Sequence, residues 1–85
     1  MKVRVAGWYT PKTEQMLLNA QAALSVVEPK NRVEWISDIH QMIQMGIAHT
    51  PALIVNDDVK VAGRVSSINE ISKWIERESV EELTA

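Results

Sequence analysis

The sequence predicts a single α/β domain, residues 1–85, with element order β-α-β-α-β-β-α and a four-stranded mixed sheet carrying helices on both faces. Three observations predict it. An alternating apolar segment is followed by a capped amphipathic helix and a second strand. An apolar run and another alternating segment flank a polar turn, and a helix with a capping box follows them. A chain of 85 residues supports one domain, and covering both faces of the sheet is its compact arrangement.

The first strand and the first helix are marked by alternation and by a cap. Lys2–Ala6 alternates charged and apolar residues, and Gly7 closes this strand. Thr10 supplies an N-cap side chain, and Pro11 occupies the first helical position, where its missing N–H costs nothing. The helix is predicted to end before Pro29. Its apolar face consists of Met16, Leu17, Ala20, Ala23, Leu24 and Val27.

A second strand and a short helix follow. Residues 31–36 predict a strand with Val33 and Trp35 on one face. Because a helix separates this strand from the first, the two strands are expected to be parallel. Ser37 and Asp38 are candidate caps for the short helix, and Gly46 is a candidate left-handed residue at its end. The apolar side of this helix is predicted to consist of Ile39, Met42 and Ile43.

A hairpin and a last helix complete the order. The apolar run 52–55 and the alternating run 59–62 flank Asn56-Asp57-Asp58, which suits a turn. Ser67 begins the last helix, and Glu70 completes a capping box. Glutamates near the negative end of this helix predict that residues 77–85 fray. The buried stripe of the helix is predicted to consist of Ile68, Ile71, Trp74 and Ile75.

Composition excludes several classes of function. The chain has no cysteine, which excludes disulfide bonds, thiolate nucleophiles and cysteine-bound iron–sulfur clusters. Nine basic residues stand against 11 acidic ones, so no nucleic acid or membrane partner is indicated. The N-terminal segment lacks the apolar run of a signal peptide, and no apolar run is long enough for a membrane span. We therefore expect a soluble, cytoplasmic protein.

Two segments in the second half of the chain carry a family resemblance. Residues 45–55 (MGIAHTPALIV) and 59–65 (VKVAGRV) closely resemble the small thioredoxin-like "redox-active disulfide" proteins, and the similarity covers about residues 1–76. The resemblance implies a thioredoxin-like fold with a cis Thr50–Pro51 bond. One smaller departure is Ser66, which stands where the family often has proline.

The active-site motif of that family is missing. Relatives carry Cys-x-x-Cys at the start of the first helix, and the two cysteine positions fall here on Thr10 and Thr13. A helix N-terminus stabilises a thiolate, whereas a threonine hydroxyl stays protonated at physiological pH. Two hydroxyls also form no reversible bond on oxidation. The sequence therefore predicts no catalytic residue and no cofactor, and it favours a protein that is not an enzyme.

A binding role on the same surface is the main functional prediction. In relatives, the backbone just before the cis proline pairs with an extended substrate. Thr50, which precedes Pro51, is therefore expected to offer its N–H and C=O to a peptide or protein segment. The alternative is a protein that binds a small anionic thiol such as glutathione at the first helix N-terminus, with Lys12 assisting, or a relative of the thiol–disulfide oxidoreductases with residual non-thiol activity. A homo-oligomer formed through a sheet edge is a third option. The predicted binding residues are Trp8, Tyr9, Thr10, Lys12, His49, Thr50 and Pro51.

Simpler structural roles compete with these functional ones. Thr10 and Thr13 are also explained as a helix cap and a first-turn polar residue. Trp8 and Tyr9 suit a contact platform or a cover for the core edge equally well. Trp35 is predicted to be a core residue, as is Trp74. The two histidines, His40 and His49, lack cysteine partners and helical spacing, so no metal site is expected. Arg64 is expected to pair with a local acid.

Overall fold

The computed structural model describes residues 1–84 and contains the predicted elements in the predicted order. The sheet order is β2-β1-β3-β4. Strand β1 is parallel to β2 and antiparallel to β3, and β3 is antiparallel to β4. The mixed four-stranded sheet is therefore confirmed. The elements are β1 Val3–Ala6, α1 Pro11–Val27, β2 Glu34–Ile36, α2 Ile39–Gln44, β3 Ala52–Val55, β4 Asp58–Ala62 and α3 Ile68–Thr84.

Two apolar clusters lie on opposite faces of the sheet. Alternate residues of the central strands point to different faces, so Val5 and its neighbour Leu53 join the larger cluster, while Ala6 and Ala52 join the smaller one. Helices α1 and α3 cover the larger cluster. Helix α2 covers the smaller one through Met42. The sheet is thus packed by helices on both faces, as predicted.

The predicted caps of the two long helices are both present. The hydroxyl of Thr10 accepts the N–H of Thr13 at 3.2 Å, and Pro11 is the first helical residue. At α3, the hydroxyl of Ser67 accepts the N–H of Glu70 at 3.1 Å, and the Glu70 carboxylate accepts the N–H of Ser67 at 3.2 Å. Reciprocal bonds of this kind satisfy N–H groups that no helical carbonyl can reach.

Some residues of the predicted apolar stripes are exposed. Ile39 and Ile43 are 47% and 66% exposed, because a helix as short as α2 reaches the sheet through Met42 alone. Ile68 and Val27 are also substantially exposed. Each is the terminal residue of its helix, lying beyond the stretch that packs on the core. The helical period identified the correct faces but not where along each helix the core ends.

Helix α3 continues through the segment for which fraying is predicted. It is helical to Thr84, and Ala85 lies outside the described residues. Within that segment Glu78 is buried, and its carboxylate lies 2.8 Å from the ammonium nitrogen of Lys60. It also accepts the side-chain N–H of Asn56 at 3.1 Å. A β-bulge at Lys60 turns this residue out of the strand ladder and toward α3.

This ion pair predicts an acid-sensitive contribution to stability. The hydrogen bond from Lys60 lowers the pKa of Glu78, so the stabilisation is complete above pH 4.5, the ordinary value, and is lost as the pH falls through the lowered pKa of the folded state. We expect Glu78→Gln to lower the free energy of unfolding at pH 7 by about 1–2 kcal/mol, since the pair is only partly shielded. Urea unfolding at several pH values measures this. The difference from wild type should shrink below pH 4.5, and a constant difference would contradict the assignment.

Two adjacent serines give a second stability prediction. Ser66 is fully buried, and its hydroxyl has no hydrogen-bond partner within residues 1–84, whereas its carbonyl accepts the side-chain N–H of Asn19 at 2.9 Å. Because an unpaired buried hydroxyl costs free energy, Ser66→Ala is expected to leave stability unchanged or raise it by about 1 kcal/mol. The matched variant Ser67→Ala removes the cap and should lower stability by about 1 kcal/mol. Thermal unfolding compares the two, and equal losses would refute the prediction.

Candidate functional site

The candidate site lies at one end of the sheet. Ala6, the last residue of β1, is paired with Ala52, the first residue of β3. The loop of residues 7–10 therefore leaves the sheet where the segment 49–51 enters it. Strand β2 runs parallel to β1, so Trp35 and Ile36 reach the same end. The predicted binding residues come from these segments and from the start of α1.

The two threonines at the family's cysteine positions form a closed pair. Thr10 is exposed, whereas Thr13 is 2% exposed. The hydroxyl of Thr10 donates to that of Thr13 at 3.2 Å while accepting the Thr13 N–H. Gly7 lies against this pair, because a Cβ atom on Gly7 would be 2.6 Å from the Thr13 hydroxyl oxygen. Thr10 therefore acts as the cap of α1, and Thr13 acts as a buried polar residue of its first turn.

An open pocket lies beside this pair, between α1 and β2. Its volume is about 160 Å³. The rings of Tyr9 and Trp35 have their centroids 5.9 Å apart and are tilted by 56° to one another. The indole N–H of Trp35 donates to the carbonyl of Gly7 at 2.9 Å, which fixes the ring. The pocket is lined by Tyr9, Thr10, Thr13, Glu14, Leu17 and Trp35.

The prediction that Trp35 is a core residue is wrong. Its side chain is 41% exposed, because β2 is a three-residue edge strand and no element covers its outer side within residues 1–84. Trp74, by contrast, is partly buried against the larger cluster. Sequence analysis also did not identify Glu14 or Leu17 as site residues. Alternation placed Trp35 on the same face of the strand as Val33, which packs against the larger cluster.

The predicted set divides into two parts. Tyr9, which is 81% exposed, and Thr10 line the pocket, whereas Trp8 is 49% exposed and does not line it. Lys12 is exposed and also lies outside the lining. Residues 49–51 lie on the β3 side.

The second group of predicted binding residues, 49–51 just before β3, presents free backbone groups. The Thr50–Pro51 peptide bond is cis, the isomer that the family resemblance implies. Pro51 is buried, and its carbonyl accepts the N–H of Gly63 at 2.9 Å. His49 is exposed and packs against the turn at Gly63. Neither the N–H nor the C=O of Thr50 has a hydrogen-bond partner within residues 1–84. Thr50 therefore offers one free donor and one free acceptor at the end of a paired strand.

The N-terminus of α1 has few donors left for an anion. Pro11 has no N–H, the N–H of Thr13 bonds to the Thr10 hydroxyl, and the N–H of Glu14 bonds to the Thr10 carbonyl at 3.0 Å. Among these first helical positions, only the N–H of Lys12 lacks an acceptor within residues 1–84. The carboxylate of Glu14 in the same turn opposes an anion as well. This geometry does not favour a small anionic thiol as the ligand.

The predicted local ion pair of Arg64 is present. Arg64 forms a two-fold contact with Glu70, at 3.1 and 2.8 Å, which confirms the predicted local pairing. This guanidinium lowers the pKa of Glu70 to about 2.

Within residues 1–84, no three histidine or carboxylate side chains are grouped to hold a metal ion. No helix of this part of the chain is long and apolar enough to cross a membrane.

Two comparisons relate the chain to known proteins. A family model described as a thioredoxin domain matches residues 1–76, which include every element up to the middle of α3. A thioredoxin of Methanothermobacter thermautotrophicus is 29% identical over 73 residues, covering 86% of this chain and 95% of that protein. The family match spans the loop after β1 and the segment before β3.

Proposed function

Because the chain belongs to the thioredoxin-domain family and contains no cysteine, we propose that it is a redox-inactive member that binds an extended peptide or protein segment. The observation that carries the proposal is the unpaired backbone of Thr50 beside an exposed aromatic loop. Disulfide exchange requires a thiolate attacking sulfur, which threonine cannot supply. Strand pairing needs only N–H and C=O groups, so it survives the loss of both cysteines.

The surroundings of Thr50 suit an extended partner. An extended segment that pairs with Thr50 would lie at the end of the sheet where β1 and β2 end and β3 begins. In complexes of this kind, main-chain hydrogen bonds supply affinity. The pocket between Tyr9 and Trp35 is a second contact, where one side chain of the partner is held. Exposed tyrosine and tryptophan side chains are favoured at protein interfaces because they bury much area at low entropic cost.

Chemical-shift titration of isotope-labelled protein tests this proposal. The probe is an acetylated, amidated heptapeptide of alternating threonine and valine with a central lysine. We expect shifts at the amides of Tyr9 and Thr50 and at the indole N–H of Trp35. The indole of Trp74, which is partly buried against the larger cluster and does not line the pocket, is the internal control. The absence of any shift, or shifts confined to other surfaces, would overturn the proposal.

A backbone-modified peptide separates strand pairing from side-chain contact. N-methylation of alternate residues removes donors without changing the side chains, so it should weaken binding by about tenfold or more if pairing with Thr50 contributes. Light scattering over a range of protein concentrations identifies the case in which a second copy of the chain is the bound segment. Association that the peptide competes away would place the second copy at this site.

A further inference from the structure

We propose that the pocket between Tyr9 and Trp35 selects a basic side chain, lysine or arginine, in the bound segment. This inference rests on the proposed function, since it names the chemistry of one residue of the partner. It follows from three properties of the pocket: the arrangement of the two rings, the single carboxylate at the wall, and the size and apolar character of the remainder.

Two aromatic rings line the pocket side by side. Their centroids are 5.9 Å apart and their planes are tilted by 56°, so Tyr9 and Trp35 pack against each other at an angle rather than stacking flat. A cation within about 6 Å of a tyrosine or tryptophan centroid is attracted by the negative charge on the ring face. The indole N–H of Trp35 is already bonded to the Gly7 carbonyl, so this ring offers its face and not its donor to a ligand.

Glu14 supplies the complementary charge. It lines the pocket, and it takes part in no ion pair within residues 1–84. Lys12 is two positions away on the helix, and residues at that spacing do not face each other. The positive end of the α1 dipole opposes a cation here. The Thr10 cap occupies one of its donors, and the Glu14 carboxylate offsets the remaining field.

The rest of the pocket fits the stem of a basic side chain. Leu17 and the aromatic rings form an apolar wall, and the volume of about 160 Å³ holds one long side chain. Lysine and arginine bury their methylene stems on apolar surface while their charged groups stay at the rim. An acidic side chain of similar length meets the Glu14 carboxylate, and a purely apolar one leaves that carboxylate without a partner.

Three heptapeptides test the inference. They share the threonine and valine framework and differ only in a central lysine, norleucine or glutamate. By calorimetry we expect the lysine peptide to bind about tenfold more tightly than the norleucine peptide, and the glutamate peptide to bind most weakly. Equal affinity for all three overturns the inference and leaves the proposed function standing. If none of the three binds, the proposed function fails.

Matched variants locate the preference. Glu14→Gln should reduce the lysine-to-norleucine ratio at least about threefold, whereas Glu76→Gln, which makes the same charge change at an exposed carboxylate of α3, should leave it unchanged. Tyr9→Leu keeps an apolar wall and removes a ring face, so it should lower the ratio without abolishing norleucine binding. If Glu76→Gln alters the ratio as much as Glu14→Gln, the preference comes from net charge and the assignment to this pocket is wrong.

Discussion

Replacing both Thr10 and Thr13 with cysteine is expected to give the chain disulfide reductase activity. The two hydroxyl oxygens are 3.2 Å apart, and both side chains belong to the same helical turn. Thr10 is exposed and Thr13 is buried. A sulfur at position 10 is therefore accessible to a substrate disulfide, and a sulfur at position 13 is placed to resolve the mixed disulfide.

The helix N-terminus supplies the activation. The N–H of Thr13 now bonds to the Thr10 hydroxyl, and in the double variant it is free to stabilise a thiolate at position 10. Lowering a thiol pKa from about 8.5 to about 7 raises the thiolate fraction at pH 7 from about 3% to about 50%, roughly fifteenfold. The free backbone of Thr50 is present to align a substrate segment.

Reduction of insulin disulfides by the double variant, driven by dithiothreitol, measures the gain. The single variants Thr10→Cys and Thr13→Cys are the controls, because neither can complete the exchange cycle. We expect the double variant to exceed both by about tenfold or more. A double variant that forms the internal disulfide, as shown by mass, yet reduces insulin no faster than the single variants would show that the surface no longer accepts a disulfide substrate.

The fold was predictable because local signals agreed with one another. The Thr10 cap, the Ser67 and Glu70 capping box and the alternating strands each specify an element without knowledge of distant contacts, and all are present. The missing cysteines were read directly from composition. These features depend on neighbours in sequence, so sequence patterns report them well.

The candidate site was less predictable because it depends on where elements end and which strand lies at the edge. Trp35 is on the predicted face, but β2 is a short edge strand, so a residue typical of a core lines an open pocket. Glu14 faces that pocket only because α1 crosses β2 at this point. Glu78 is buried because a bulge directs Lys60 toward α3. Periodicity contains none of this information.

Gly7→Ala is expected to lower the free energy of unfolding by about 1–3 kcal/mol, through a steric clash. The added Cβ atom would lie 2.6 Å from the hydroxyl oxygen of Thr13 and 3.3 Å from its methyl carbon. Thr13 is buried and bonded to Thr10, so its side chain has little room to withdraw. Gly7 is not among the residues with positive φ, so backbone conformation adds no penalty of its own.

A double-mutant cycle with Thr13→Ala isolates the clash. This change removes both atoms closest to the added Cβ and leaves the Thr13 Cβ, at 3.5 Å, in ordinary contact. Thr13→Ala alone costs stability through the lost hydrogen bond, but Gly7→Ala should cost about 1–2 kcal/mol less when it is made in the Thr13→Ala background than in wild type.

Gly46→Ala is the matched control for the cycle. Gly46 has a φ of +74° and open space around its Cβ position, so alanine there is strained by conformation and not by contact. Its cost should be the same with and without Thr13→Ala, as urea unfolding of wild type, the three single variants and the two double variants measures. If Thr13→Ala relieves Gly7→Ala and Gly46→Ala equally, the relief does not come from the contact between Gly7 and Thr13.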